Sequence, residues 1–154
     1  MSVGATKSPV TNRTPDLRLP RRNCLTRWVG STLVFVENER APSDEEWGDF
    51  LKILALNRVD LAKLRLLVVT SGGAPTAEQR KQLAATLGGA PLLVSSVSDN
   101  MKIRFVTATI ALFHSHMKTF STQELDQAYD HLGLNSEERG VVGKAIADMR
   151  ARVK

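Results

Sequence analysis

The stretch Ser71-Gly72-Gly73-Ala74-Pro75-Thr76 holds the residue types in this chain best suited to chemistry. Glycines let backbone amides approach a ligand, and the Thr76/Gln79 spacing opens a helix whose first N–H groups lack partners and carry partial positive charge. Ser71, Gly72, Gly73 and Thr76 are therefore the candidates for an anion-binding loop. The run has neither the G-x-x-x-x-G-K-[ST] spacing of a P-loop nor the G-x-G-x-x-G of a dinucleotide fold. The same residues also suit a plain strand-to-helix connection, in which Gly and Pro supply the turn geometry. The loop follows the apolar run Leu66 to Val69, and open α/β sheets place their ligands outside the carboxyl ends of the strands.

The other polar clusters assemble less. His114-Ser115-His116 would set both imidazoles on one side of an extended segment, but Cys24 and His131 are distant in sequence and no spacing matches a zinc motif. Histidines at a helix end interact with its terminal carbonyls. Cys24 begins a strand with no adjacent His and no helix start to lower its pKa, the setting of a small core or rim residue. Asp44-Glu45-Glu46 lies in a first helical turn, where acids complement the helix dipole. No nucleophile, base and orienting group can be combined from these residues, so the expectation is a protein that is not an enzyme, with no metal and no cofactor.

The elements that must place the loop are marked by local chemistry. Ser43 with Glu46, Thr76 with Gln79, Ser121 with Glu124, and Asn135 with Glu138 have capping-box spacing, and each precedes apolar residues at helical intervals. Trp47, Phe50, Leu51 and Leu54 share one face of a helix over residues 43–57. The next helix runs through Leu83, Ala84 and Leu87 to Gly88-Gly89. Ser98 or Asp99 caps a third helix lined by Ile103, Phe105, Val106, Ile110, Leu112 and Phe113, too broadly apolar for a surface helix and expected to be the most buried. Leu125, Ala128, Tyr129 and Leu132 define the fourth, ended by Gly133. Val142, Ala145, Ile146 and Met149 define the fifth. Residues 24–29 and 32–37 read as two strands joined by a tight Gly30-Ser31 turn or as one long bent strand, and further strands are expected over 66–69, 91–94 and 117–120. Uninterrupted apolar runs such as Leu66-Leu67-Val68-Val69 read as strands covered on both faces, as in a parallel sheet.

This alternation implies an α/β domain with a mainly parallel sheet of four or five strands, flanking helices and an N-terminal antiparallel hairpin. The chain has 154 residues, 42% of them hydrophobic and 24% charged, enough for one domain with its own core. With a single Cys and no apolar run approaching the length of a membrane span, the composition excludes a disulfide scaffold and a transmembrane segment. The net charge of +5 and pI of about 9.7 suggest nucleic acid until the charge is located. Residues 1–23 hold Lys7, Arg13, Arg18, Arg21 and Arg22 against Asp16 alone, a net of +4, which leaves +1 for the rest. That basic leader has no periodicity and is expected to be disordered, with the domain over residues 24–154. It lacks the apolar segment of a signal peptide, and cytoplasmic residence follows as the default. Acids are interspersed among the remaining bases, and no recognition-helix or RNP signature is present, so no specific nucleic acid is expected.

The element order, the strand Leu66 to Val69 leading into Ser71-Gly72 before a helix, and the broad apolar third helix resemble the STAS family. This is the fold of sulfate-transporter cytoplasmic domains, anti-sigma-factor antagonists, SpoIIAA-like proteins and lipid-binding Sec14-like relatives, and the resemblance covers residues 24–134. It implies a bacterial-type regulatory or scaffolding module acting in signalling through another protein. In antagonist members a serine near this position is phosphorylated and controls docking, which makes Ser71 the equivalent here. The family's Asp two residues before that serine is Val69, and the apolar residue expected after Ser-Gly is replaced by Gly73-Ala74-Pro75. The alternative that the resemblance implies is a small-molecule or lipid-binding carrier. Trp28, on a hairpin at the sheet edge, is the candidate interface residue, and an uncovered edge also allows pairing between copies as a homo-oligomer.

Overall fold

Gly30 takes φ +60° while Ser31 does not share the positive value, the II′ pattern that joins two twisted strands without splaying them. β1 (Cys24–Val29) and β2 (Thr32–Glu37) pair antiparallel across this turn, from Cys24 against Glu37 to Val29 against Thr32. The computed structural model describes residues 22–104 and 116–153. β3 (Arg65–Thr70), β4 (Leu93–Val97) and β5 (Met117–Phe120) add to β2 in sequence order, each parallel to the one before. The molecule is thus an α/β domain with a five-stranded, mainly parallel sheet and an N-terminal hairpin.

The sheet is flanked by α1 (Asp44–Leu56), α2 (Ala77–Leu87), α3 (Leu125–Leu132) and α4 (Ser136–Arg152). All four capping boxes form, with Ser43, Thr76 and Asn135 directly preceding α1, α2 and α4, and Ser121 opening a 3-10 turn (Thr122–Glu124) that leads into α3. A second 3-10 segment, Arg58–Lys63, joins α1 to β3 and buries Leu61. No helix among the described residues is long and apolar enough to cross a membrane.

The period-2 alternation of the strands divides the core in two. Val34, Val36, Leu67, Val69 and Val97 face α3 and α4, where Tyr129, Leu132, Val142, Ile146 and Met149 cover them. Leu33, Phe35, Leu66 and Val94 face the opposite way, against Trp47, Phe50 and Leu54 of α1. Both faces are covered, which explains why the central strands read as continuous apolar runs.

Two boundaries differ from expectation. β4 starts at Leu93 and continues through Ser95 and Ser96, although Pro91 to Val94 is the apolar stretch. Both serines are buried, and the Ser95 hydroxyl donates to the Ala128 carbonyl of α3 at 2.8 Å, so its burial leaves no unmet hydrogen bond. The cap after β4 is Asn100, whose Oδ1 accepts from the amides of Lys102 at 3.0 Å and Ile103 at 3.2 Å. Ser98 supports it by accepting from the Asn100 amide, while Asp99 accepts from the amide and hydroxyl of Thr122. Helix follows over residues 101–104. The expected apolar lining at Phe105 to Phe113, the His114-Ser115 pair and most of the basic leader lie outside the described residues. Asn23, assigned above to the leader, is tied to the domain, with its backbone carbonyl accepting from the Asn38 amide and its side-chain Nδ2 donating to the Ala41 carbonyl.

Candidate functional site at the carboxyl ends of the strands

β2 and β3 end side by side at Glu37 and Thr70, and the two loops that leave them interlock. The Ser71 amide donates to the Glu37 carbonyl at 3.2 Å and the Gly73 amide to the Asn38 carbonyl at 2.8 Å. The Thr70 hydroxyl donates to the Gly73 carbonyl at 2.7 Å and accepts from the Gly72 amide at 3.1 Å. Gly73 sits so close to the neighbouring loop that a Cβ there would lie 2.1 Å from the Arg40 carbonyl oxygen. The loop is therefore pinned, and Ser71 projects from it exposed to solvent.

Ser71 lines a cleft of about 460 Å³ with Asn23, Asn38, Glu39, Arg40, Arg150 and Val153. Arg150 arrives from the last turn of α4, some eighty positions later in the chain, so this neighbour was invisible in the sequence. Thr76 does not share the cleft. Its hydroxyl accepts from the Gln79 amide at 3.1 Å, and the Gln79 carboxamide oxygen accepts from the Thr76 amide at 3.0 Å, which commits Thr76 to starting α2. Ser71, Gly72 and Gly73 thus form one feature, and Thr76 sits five residues beyond Ser71 at a helix start.

Trp28 lies at the other end of the sheet, paired with Leu33 beside the hairpin turn, and is 42% exposed on the edge strand β1. It cannot share a surface patch with Ser71 at the opposite strand ends. Cys24 is buried, and its thiol is pushed up by that burial and by the carboxylates of Glu46 and Glu37. A thiol so placed is a packing group. Among the described residues no three His, Cys, Asp or Glu side chains are grouped to hold a metal ion.

On the α1/α2 side of the sheet, an apolar cavity of about 410 Å³ runs from Glu37 and Thr70 toward Pro91 and Met117. Phe35, Trp47, Phe50, Leu66, Val68 and Leu83 are among the side chains that line it. Glu37 is 3% exposed, and its Oε2 is the one buried side-chain oxygen or nitrogen without a hydrogen-bond partner among the described residues. Burial pushes its carboxyl up to about 8, with the Thr70 hydroxyl acting in the opposite direction. The sequence carried a signal for this: Leu33, Phe35 and Glu37 alternate onto one face, so the last of them had to point its carboxyl inward if the strand was covered there. No family model, curated protein or solved structure matches this chain.

Proposed function

We propose that this chain is a non-enzymatic regulatory module that works in the cytoplasm by docking to another protein, with phosphate on the Ser71 loop switching the contact. The observation that carries the reading is the placement of the Ser71 hydroxyl, exposed on a pinned loop in a cleft it shares with Arg40 and Arg150. A phosphoserine there would add a charge of about −1.5 to −2, and planar guanidinium groups are suited to bind its oxygens in pairs. Unmodified, the cleft sets Arg40 and Arg150 against Glu39, a net charge of +1 that favours an acidic partner. Modified, its sign is reversed, and a partner chosen by charge is released. The resemblance to STAS antagonists, in which the switch serine follows the third strand at the helix entrance, supports the same assignment, with the difference that Ser71 lies in the loop five residues before the Thr76 cap.

The test is to purify the native protein gently from its source and identify by mass spectrometry what accompanies it and whether Ser71 carries phosphate. Recovery of a stoichiometric protein partner that is absent from Ser71→Asp preparations is the result expected. A chain recovered alone, with Ser71 unmodified, would contradict the reading.

A second reading, a carrier of a small apolar molecule, is favoured by the cavity between the sheet and α1/α2. Its volume of about 410 Å³ lies within the range of roughly 300–1,000 Å³ typical of small-molecule sites.

A further inference from the structure

Resting on that second reading, the chemistry of the cavity narrows the occupant. The lining is mainly apolar and aromatic, with Glu37, Thr70, Arg80, Ser96 and His116 as its polar members, so the body of a ligand is mainly apolar too. Phe35, Trp47 and Phe50 form a contiguous cluster with ring centroids 4.8–6.2 Å apart. Glu37 stands two residues beyond Phe35 on the same face of β2 and contributes to the same lining. Its Oε2 lacks a hydrogen bond although the Thr70 hydroxyl and the Ser71, Gly72 and Gly73 amides beside it are all paired. An unpaired buried acceptor is costly, and a natural fold retains one where something else completes it. An anionic headgroup has no donor for Oε2 and would oppose any ionisation of the carboxyl. A hydrocarbon would leave it unpaired. A cationic donor would complete it, and π faces in the same wall favour a cation as well.

We infer that this cavity binds a small, mainly apolar amine, its body against Phe35, Trp47, Phe50 and Val68 and its ammonium group donating to the Glu37 carboxylate. Burial and the Thr70 hydroxyl are what set the proton affinity of the carboxyl. Thr70 is the partner on its own side. Cys24, directly opposite on β1, is held neutral by burial. Arg80, exposed on α2, and His116, exposed before β5, belong to the same lining. Without ligand the carboxyl is largely protonated at neutral pH, since burial raises it to about 8. An incoming ammonium favours the ionised form, so binding releases a proton from Glu37 and tightens as pH rises toward that value.

The experiment uses four probes that share one body: phenethylamine, phenethyl alcohol, phenylacetic acid and ethylbenzene. Each is titrated into the full chain while the NMR signals of Val68 and Leu83 are followed. Phenethylamine is expected to bind about tenfold or more tighter than the other three, as a charge-assisted hydrogen bond predicts. In Glu37→Gln that advantage should vanish while ethylbenzene binding persists, and Val68→Phe, which fills the cavity without touching the carboxyl, should block all four. If ethylbenzene or phenethyl alcohol matches phenethylamine in the wild-type chain, the amine assignment is overturned and the ligand-binding reading stands. If no probe moves the cavity signals, both fall. The wild-type ranking decides even if a variant does not fold.

Discussion

Glu37 is where the energetics of the fold and of its cavity meet. Its carboxyl, ordinarily at 4.5, is raised to about 8 because burial disfavours the charged form. The folded chain therefore holds this proton more tightly than the unfolded one. The resulting contribution to stability is fully present below 4.5 and is lost as pH climbs through about 8. Gln keeps the shape and stays neutral throughout. Thermal unfolding of the wild-type protein should lose stability more steeply than Glu37→Gln between about pH 5 and about pH 8, at no more than about 1.4 kcal/mol per pH unit. Parallel profiles would show that Glu37 is ionised and paired in solution. Gly73 offers a second test at this scale. Its missing Cβ is what lets the β2 and β3 loops interlock, so Gly73→Ala should destabilise the protein by about 1–3 kcal/mol. Urea unfolding would measure this, and an unchanged midpoint would mean that the Arg40 loop yields freely.

Among the elements, those set by neighbours a few residues apart were readable in advance. The Ser43/Glu46, Thr76/Gln79, Ser121/Glu124 and Asn135/Glu138 boxes each involve partners three positions apart, and all formed. What joins α1 to α2 was not readable, because it depends on residues more than thirty positions apart. Gln79, expected only as a capping residue, is 1% exposed. Its Nε2 donates to the Pro42 carbonyl at 2.8 Å, and its backbone carbonyl accepts from the Trp47 indole N–H at 3.0 Å. It closes a cap and also bolts two helices together. Thr76→Ala should accordingly cost about 1 kcal/mol, the loss of one cap. Gln79→Leu, which leaves the buried Pro42 carbonyl unpaired as well, should cost about 2–3 kcal/mol. Denaturant unfolding of the two variants compares them directly, and equal losses would mean that Gln79 serves the cap alone. Ser95 and Ser96 teach the same lesson for strands: polar side chains end an apolar pattern, yet one hydroxyl bonded to the Ala128 carbonyl suffices to bury the strand through them.

At the scale of the whole molecule, α/β alternation and unbroken apolar runs made the covered parallel sheet legible, and Gly30-Ser31 made the hairpin legible. The loop at Ser71 was legible as a connection of unusual composition. Its setting was not, because Arg40 leaves β2 and Arg150 ends α4, and only the finished fold brings them to one cleft. The inward carboxyl of Glu37 runs against its local pattern: it closes an apolar run, where a charged residue normally marks the return to solvent. The fold thus presents two different features at the carboxyl ends of its strands, a cationic cleft outside and an apolar cavity within. The central claim concerns the cleft. Its most direct test is affinity purification of wild-type, Ser71→Ala and Ser71→Asp chains from the native cell, with stoichiometry and Ser71 phosphate read by mass spectrometry. One protein partner, retained by wild type and Ser71→Ala and lost from Ser71→Asp, is the predicted result. A partner held equally by all three chains, or none held by any, would contradict a phosphate-switched docking surface at Ser71.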